Sequence, residues 1–438
     1  MGMKPIAAWV LALSLVSASP VTAQQAPASA AETDPVKLGW MQGTPPPEKQ
    51  IRFSDGSFLH FPKNRWSFAH YRELFPTARI GRGKGPVVPL PRALRADLAT
   101  LSFTPDGETK PRNWVETFDA TYGDAIVVLH RGKIVFERYN GVMNADQPHI
   151  GFSLTKSFYG TLTEMMIAEG AIDEAKTVAQ YLPELAQSGF GDAAVRQLLD
   201  MTTSLDYNED AADADAQMAK FMLASGGYPR PKDYAGPANT FELLKTVKKV
   251  APHGERFDYQ SVDTEVLGFI IARVSGKPAE KVLEERIWAR LGAENDANIT
   301  LDEAGASRST GGMSATARDL ARFGEMIRRG GRWGGQQIVP APVIAKIRQG
   351  GNKQDFARAI WDYNTRRGWS YKSQWWHTHN ANGAFMGIGM YGQAIYIDPK
   401  AEMVIVRFNS GPVGSTVGMD HITMPMFQAL ADRLGGGR

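Results

Sequence analysis

Ser153 and Lys156 stand three positions apart in Gly151-Phe152-Ser153-Leu154-Thr155-Lys156-Ser157-Phe158. On a helix that spacing places both side chains on one face, within a turn of each other. The following residues read as that helix: Leu154, Phe158, Leu162, Met165 and Met166 recur at helical intervals, and Gly170 marks a stop. Ser153 then lies at the helix start, where free N–H groups and the dipole favour developing negative charge. A serine hydroxyl is a weak nucleophile until an adjacent base takes its proton. A lysine one turn on can be that base if its surroundings keep it neutral. The plain alternative is a solvated first-turn charge, so the rest of the chain has to decide.

Two further stretches could converge on Ser153. Tyr259-Gln260-Ser261 precedes an apolar helical run from Val262 to Val274, closed by Gly276 and Pro278. Its side chains can project from a loop onto a cleft; the alternative is a tyrosine packed at a helix entry with Ser261 as N-cap. The glycine-rich run from Asn382 to Gln393 leads into a strand. Glycines there let backbone pass close to another group, and an exposed N–H at such an edge could complete an oxyanion hole with that of Ser153.

The elements that must position these residues change character along the chain. Asp124–His130 and Lys133–Tyr139 are apolar strands joined by Arg131-Gly132, a hairpin signal. Ala93–Leu101 and Trp114–Tyr122 read as short helices before it. From Glu164 to about Thr300 the pattern is helical and loop-rich, with helices starting at Arg196 and covering Phe241–Val250. Ser204–Gly236 is a long stretch poor in apolar periodicity, as binding loops often are. Ala315–Arg328 and His421–Leu434 read as helices, and Tyr391–Ile397 and Met403–Phe408 as strands around Asp398-Pro399. Strands, then helices, then strands predict an α+β fold: one antiparallel sheet built from N- and C-terminal parts, flanking helices, and an inserted, mostly helical subdomain. The expected division is a sheet domain over 93–160 and 311–438 with a helical insertion over 161–310. Residues 36–92 form an irregular, aromatic-rich segment laid over the core.

The amino terminus has a different task. Lys4, the apolar run Ile6–Val16 and the small residue at Ala23 make residues 1–23 a secretory signal pattern, followed by a flexible linker over 24–35. The run is too short to span a bilayer, which needs ~20 residues. The chain has no cysteine, so an exported protein must hold its fold by packing alone. A net charge of +3 over 438 residues, with no basic stripe, excludes nucleic acid as a partner. Nothing in the pattern calls for membrane insertion once a leader is removed, or fixes an oligomeric state.

Ser153-Leu154-Thr155-Lys156, then Tyr259-Gln260-Ser261, then a glycine-rich strand, resemble the three motifs of the penicillin-recognising fold, in the class C β-lactamase and family VIII carboxylesterase group. The 6-aminohexanoate-dimer hydrolases are more similar still. That likeness also takes in Trp66-Ser67-Phe68-Ala69-His70, Ser204-Leu205-Asp206-Tyr207-Asn208-Glu209-Asp210, Gly311 to Arg322, Gln374-Trp375-Trp376 and Gly387 to Gln393. The resemblance implies a serine hydrolase that cuts small amides or esters through an acyl-enzyme on Ser153, without cofactor or metal. Lys156 and Tyr259 would share the proton work. Backbone N–H groups of Ser153 and Met390 would form the oxyanion hole, and Ser261, Thr310, Gly389 and Tyr391 would line the substrate pocket. Ordinary pKa values of about 10.4 for lysine and 10 for tyrosine need shifts of about three units to serve near neutrality.

Departures from the family narrow the substrate. There is no Lys-Thr-Gly, whose lysine strand helps β-lactamases hold the drug's carboxylate, and no Ser-Asp-Asn. Where the dimer hydrolases carry a tyrosine after the Tyr-Asn-Glu-Asp run this chain has Ala211, and the stretch around Met222 shows no obvious acid. The remaining readings are a carboxylesterase, a weak class C-type β-lactamase, or a non-catalytic cell-wall or peptide-binding module. An α/β-hydrolase would want a glycine at Thr155. His377-Thr378-His379 lacks an acidic or cysteine partner at metal-site spacing.

Cleavage after Ala23 is expected to leave Gln24 as the first residue of the exported protein. Amino-terminal sequencing of periplasmic material checks this; an intact Met1 would contradict it.

Overall fold

A computed structural model describes residues 28–209 and 216–436, so the leader pattern lies outside the described residues. Seven strands form the central antiparallel sheet: β1 (Gly123–His130), β2 (Lys133–Tyr139), β3 (Ser370–Lys372), β4 (Trp375–His377), β5 (Phe385–Gly389), β6 (Gln393–Asp398) and β7 (Met403–Asn409). Their order is β3-β4-β5-β6-β7-β1-β2. The first hairpin turns at Arg131 and Gly132, both at positive φ, the twist a two-residue hairpin loop needs. The rest of the sheet comes from the far end of the chain, with Val127 of β1 opposite Val406 of β7.

Both faces of β1 are covered, which is why it reads as an unbroken apolar run. Ala125, Val127 and Leu129 enter one hydrophobic cluster and Ile126 and Val128 the other. The helices that matter here are α1 (Trp114–Ala120), α2 (Leu154–Ala168), α3 (Gln217–Ala224), α4 (Ser261–Ser275), α5 (Ala317–Arg328) and α6 (Asp420–Gly435). Leu154 and Phe158 of α2 and Leu320 and Phe323 of α5 cover the first face. Trp114 of α1 and Phe427 and Leu430 of α6 cover the second. None of the described helices is long and apolar enough to cross a membrane.

Several expectations need correction. The boundary at 160/161 falls inside α2, and one cluster runs from the sheet through Val262, Val266 and Leu267 of α4, so the helical part shares the sheet's core. Ala297–Thr300 is a strand of a second, four-stranded sheet, with Thr77–Ile80, Met313–Ala315 and His149–Ile150. The region 93–101 holds only a 3-10 turn at Ala96–Leu98, and the helix expected over 241–250 covers Thr240–Leu244. Within the long loop, α3 forms. Tyr391 sits at φ 63° in a turn, and the strand starts at Gln393.

The described part of the supposed linker, from Ala28, is held in place. Arg65 donates to Ala30 O (2.6 Å) and Thr33 Oγ1 (3.1 Å), and Tyr122 to Ala28 O (3.0 Å). Arg65 is buried, and its guanidinium lies 3.6 Å from Asp124 at the root of β1. One side chain thus ties the amino-terminal segment to the central sheet. Arg65→Met would leave Asp124 with His149 beside it (3.2 Å) and Arg407 within electrostatic reach. The expected cost is about 3–5 kcal/mol, as for other broken buried pairs, read as a lower urea midpoint.

Candidate active site

Ser153 is the N-cap of α2, at the end of a tightly held turn. Gly151 N–H donates to Met313 O (2.9 Å), and Met313 N–H donates to Thr155 Oγ1 (3.1 Å). These bonds fasten the turn to strand Met313–Ala315. Phe152 is held at φ 45°, a left-handed conformation that a bulky residue adopts at a cost. The result presents the Ser153 hydroxyl at the mouth of the helix.

Lys156 Nζ lies 2.9 Å from Ser153 Oγ and donates to Thr310 O at 2.9 Å. Its side chain is only 1% exposed. The Tyr259 side chain turns toward the same Ser153 hydroxyl, and Lys156 Nζ stands 5.1 Å from the Tyr259 ring centre. Tyr259 stacks on Trp376 (5.4 Å, 26°) and meets Tyr371 edge-on (6.0 Å), so neighbouring rings fix its direction. Residues 106 positions apart in sequence therefore meet at one centre.

Burial sets the charge of this centre. It lowers the Lys156 amine to about 8, against the opposing pull of Glu209, Glu265 and Asp263. A cationic neighbour or desolvation can shift a lysine this way, and here desolvation works against three acids. Those acids are themselves held up by burial. Glu265 is raised to about 7 while accepting the Thr310 (3.0 Å) and Ser309 (3.2 Å) N–H groups. Asp263 is raised well above the carboxylate range and takes the Thr203 hydroxyl, 2.8 Å to each oxygen. Glu209 is raised by burial, partly offset by Lys156, and takes the Ser261 N–H. Burial, then Glu209, raises Tyr259.

The remaining expected residues fall in three places. Thr310 is at the centre through its carbonyl, while its buried hydroxyl has no partner among the described residues. Gly389 ends β5 against the Ser153 turn, with Met390 the next residue: a side chain at Gly389 would put its Cβ 2.2 Å from Gly151 O. The neighbouring Tyr391 N–H is already taken by Gly414 O (2.8 Å), and the Tyr391 ring lies 5.6 Å from that of Phe152. Ser261 is not brought to the hydroxyl of Ser153 by any contact seen; it is the first residue of α4, after N-cap Gln260, and its N–H anchors Glu209. His377 and His379 are packing residues. His377 is buried on Phe385 (5.6 Å), which lowers it to about 3, and His379 pairs with Ser370 (2.7 Å).

Sequence reasoning did not single out Glu209, Glu265 or Asp263. Glu265 follows Tyr259 by six positions and Asp263 by four, so a helix written from Ser261 already carried two acids in its first turns. Nothing in the pattern said that they were buried.

A family model described as beta-lactamase matches residues 111–421. The chain belongs to the beta-lactamase family. Among family members, the 6-aminohexanoate-dimer hydrolase of Paenarthrobacter ureafaciens is 36% identical over 81% of this chain and 88% of its own length. A solved Bacillus anthracis protein, provisionally described as a 6-aminohexanoate-dimer hydrolase, superposes with a TM-score of 0.81 at 33% identity, over 90% of this chain and 99% of its own. A family VIII carboxylesterase shares the fold at TM-score 0.53 and 18% identity, over 72% of this chain and 95% of its own. Family membership accounts for the α+β architecture and for the order of the three motifs along the chain.

A lysine that works as a base must be neutral, so kcat/KM should rise with pH and level off above the Lys156 value of about 8. Tyr259→Phe removes one hydroxyl and keeps the ring stack, so the fold should hold while turnover drops by roughly 10²–10⁴. A pH–rate profile of both proteins checks the pair; a flat profile in the parent would exclude Lys156 as the base.

Proposed function

We propose that the protein is a serine hydrolase acting on small amides or esters, with an acyl-enzyme on Ser153. The observation that carries this reading is the 2.9 Å contact between the Ser153 hydroxyl and a buried Lys156 amine whose burial lowers it to about 8, with the Tyr259 ring beside both. Neutral Lys156 takes the Ser153 proton as Oγ attacks the carbonyl carbon. The developing oxyanion is placed between the N–H groups of Ser153 and Met390, at the start of α2. Tyr259 gives its proton to the leaving nitrogen or oxygen and recovers one through Lys156. Water then enters, loses a proton by the reverse route, and releases the acid.

The names of the relatives support amide cleavage of 6-aminohexanoate type as one activity of this site, and a carboxylesterase on the same fold supports ester cleavage. β-Lactam hydrolysis is disfavoured because β5, Phe385-Met386-Gly387-Ile388-Gly389, has no lysine to hold a carboxylate. A purely binding module has no use for a desolvated amine at a serine hydroxyl, an arrangement that costs stability and serves proton transfer. The leader pattern supports action outside the cytoplasm, in the periplasm or medium.

A serine-directed fluorophosphonate should label the protein, and Ser153→Ala should abolish labelling. In steady-state kinetics on p-nitrophenyl butyrate, 6-aminohexanoate dimer and nitrocefin, the expected order of kcat/KM is ester, amide, β-lactam. Holding a carboxylate by a charge-assisted contact is worth about 1.5–3 kcal/mol, so nitrocefin should trail a well-equipped β-lactamase by roughly 10–150-fold. Nitrocefin turnover equal to that of the ester would make this a β-lactamase.

A further inference from the structure

Arg308 is 6% exposed, and its Nε and Nη2 have no hydrogen-bond partner among the described residues. Among the described residues its Nη1 donates only to the Met222 sulfur, at 3.9 Å. Three other buried arginines meet acids, Arg322 with Asp319 and Glu294, Arg366 with Asp420 and Arg65 with Asp124, and Arg407, without an ion pair among the described residues, donates through both Nη atoms to Thr423, Thr121 and Asn409. Glu265, an acid within electrostatic reach of Arg308, spends its oxygens on the Ser309 and Thr310 N–H groups. A buried guanidinium with unused donors is costly. The backbone leaves it no retreat. Arg308 N–H donates to Thr300 O (2.9 Å), and its carbonyl takes the Gly311 (3.3 Å) and Gly312 (2.9 Å) N–H groups.

The surroundings also look built for a ligand. The guanidinium lies over the Phe75 ring (5.8 Å), within electrostatic reach of Tyr71 and Tyr228. The Tyr71 hydroxyl is a second buried group without a partner among the described residues. Gly227 keeps space open, since a Cβ there would sit 2.9 Å from Nη1. Met222, unbranched and flexible, is the side chain that must yield to admit a ligand. The place adjoins the nucleophile. Tyr71 and Tyr391 both pack on Phe152 (6.0 and 5.6 Å), next to Ser153, and Thr310, two residues beyond Arg308, holds Lys156. It is separate from the ring set around Tyr259, formed by Phe257, Tyr371 and Trp376. The leaving group must reach Tyr259, so the acyl group is the half that turns toward Arg308.

We propose that Arg308, with the Tyr71 hydroxyl, seats a carboxylate at the far end of the substrate's acyl half. The substrate class is then a half-ester or half-amide of a dicarboxylic acid, and hydrolysis releases the dicarboxylate and an alcohol or amine. This rests on Ser153 being the nucleophile, so the test separates the two claims.

The experiment compares p-nitrophenyl butyrate with mono-p-nitrophenyl glutarate, which share a leaving group, on the full chain with Ser153→Ala as blank. The expected result is a higher kcat/KM for the glutarate half-ester, by about 10–150-fold and mainly through KM. Arg308→Gln should bring the ratio toward one, and Arg308→Lys should keep part of it. An equal or reversed preference in the parent, or a ratio unmoved by Arg308→Gln, would overturn the proposal. Should Arg308→Gln fail to fold, the parent's own ratio decides. If neither ester is cut, the serine reading fails. Calorimetric titration of glutarate into Ser153→Ala then still reads the seat: binding lost in the Ser153→Ala/Arg308→Gln double variant upholds it, and no binding to Ser153→Ala refutes it.

Discussion

The removal of the Lys156 amine from water is the constraint on which the site depends. An ammonium in bulk solvent would keep its proton and leave Ser153 inert at neutral pH. Here the amine is enclosed by its own helix, by the Thr310 carbonyl and by the Tyr259 ring. Three acids nearby would restore the charge if they were ionised and solvated. Each is instead desolvated and occupied with hydrogen bonds to backbone or hydroxyl groups. The balance between one buried base and several buried acids is what tunes the centre, and it requires a fold that excludes water from all of them together.

Much of this was legible in the chain. Ser153 and Lys156 declared themselves by a three-residue interval on an apolar helix, and the hairpin over 124–139 by its continuous strands around Arg131-Gly132. Tyr259 was legible as a motif, but its direction is set by Trp376 and Tyr371, which lie more than a hundred residues away. The acids were opaque for a different reason. A glutamate on a helix reads as solvent-facing, and only the packing of α4 against α2 turns Glu265 inward. Ala30 and Thr33 read as linker because small and polar residues carry no periodicity, while their contact with Arg65 is made through a backbone carbonyl and a hydroxyl. The division at 160/161 cuts a helix that the apolar spacing itself carries on to Met166.

The aromatic residues around the centre divide into two sets with different physical tasks. Phe257, Tyr371 and Trp376 immobilise Tyr259, the proposed proton donor. Phe68, Tyr71 and Phe152, with Tyr391, form a wall supplied largely by the amino-terminal segment. The wall can vary without disturbing the first set, since it contributes shape and polarity rather than proton transfer. A family that keeps Ser153, Lys156 and Tyr259 while exchanging the wall can change its substrates at little cost to its chemistry.

The strand order carries a consequence for how the molecule comes into being. β1 and β2 are made early, yet the neighbour that β1 requires is β7, near the carboxyl end. The Ser153 helix packs on a sheet that does not exist until that late strand arrives. Pairings across such sequence separations are slow to form, because the loop between them must be closed before any contact repays it. A chain made only as far as β2 and the Ser153 helix therefore holds every residue of that turn without the sheet that seats it, and the later strand β7 acts, in effect, as the latch that closes over the earlier work.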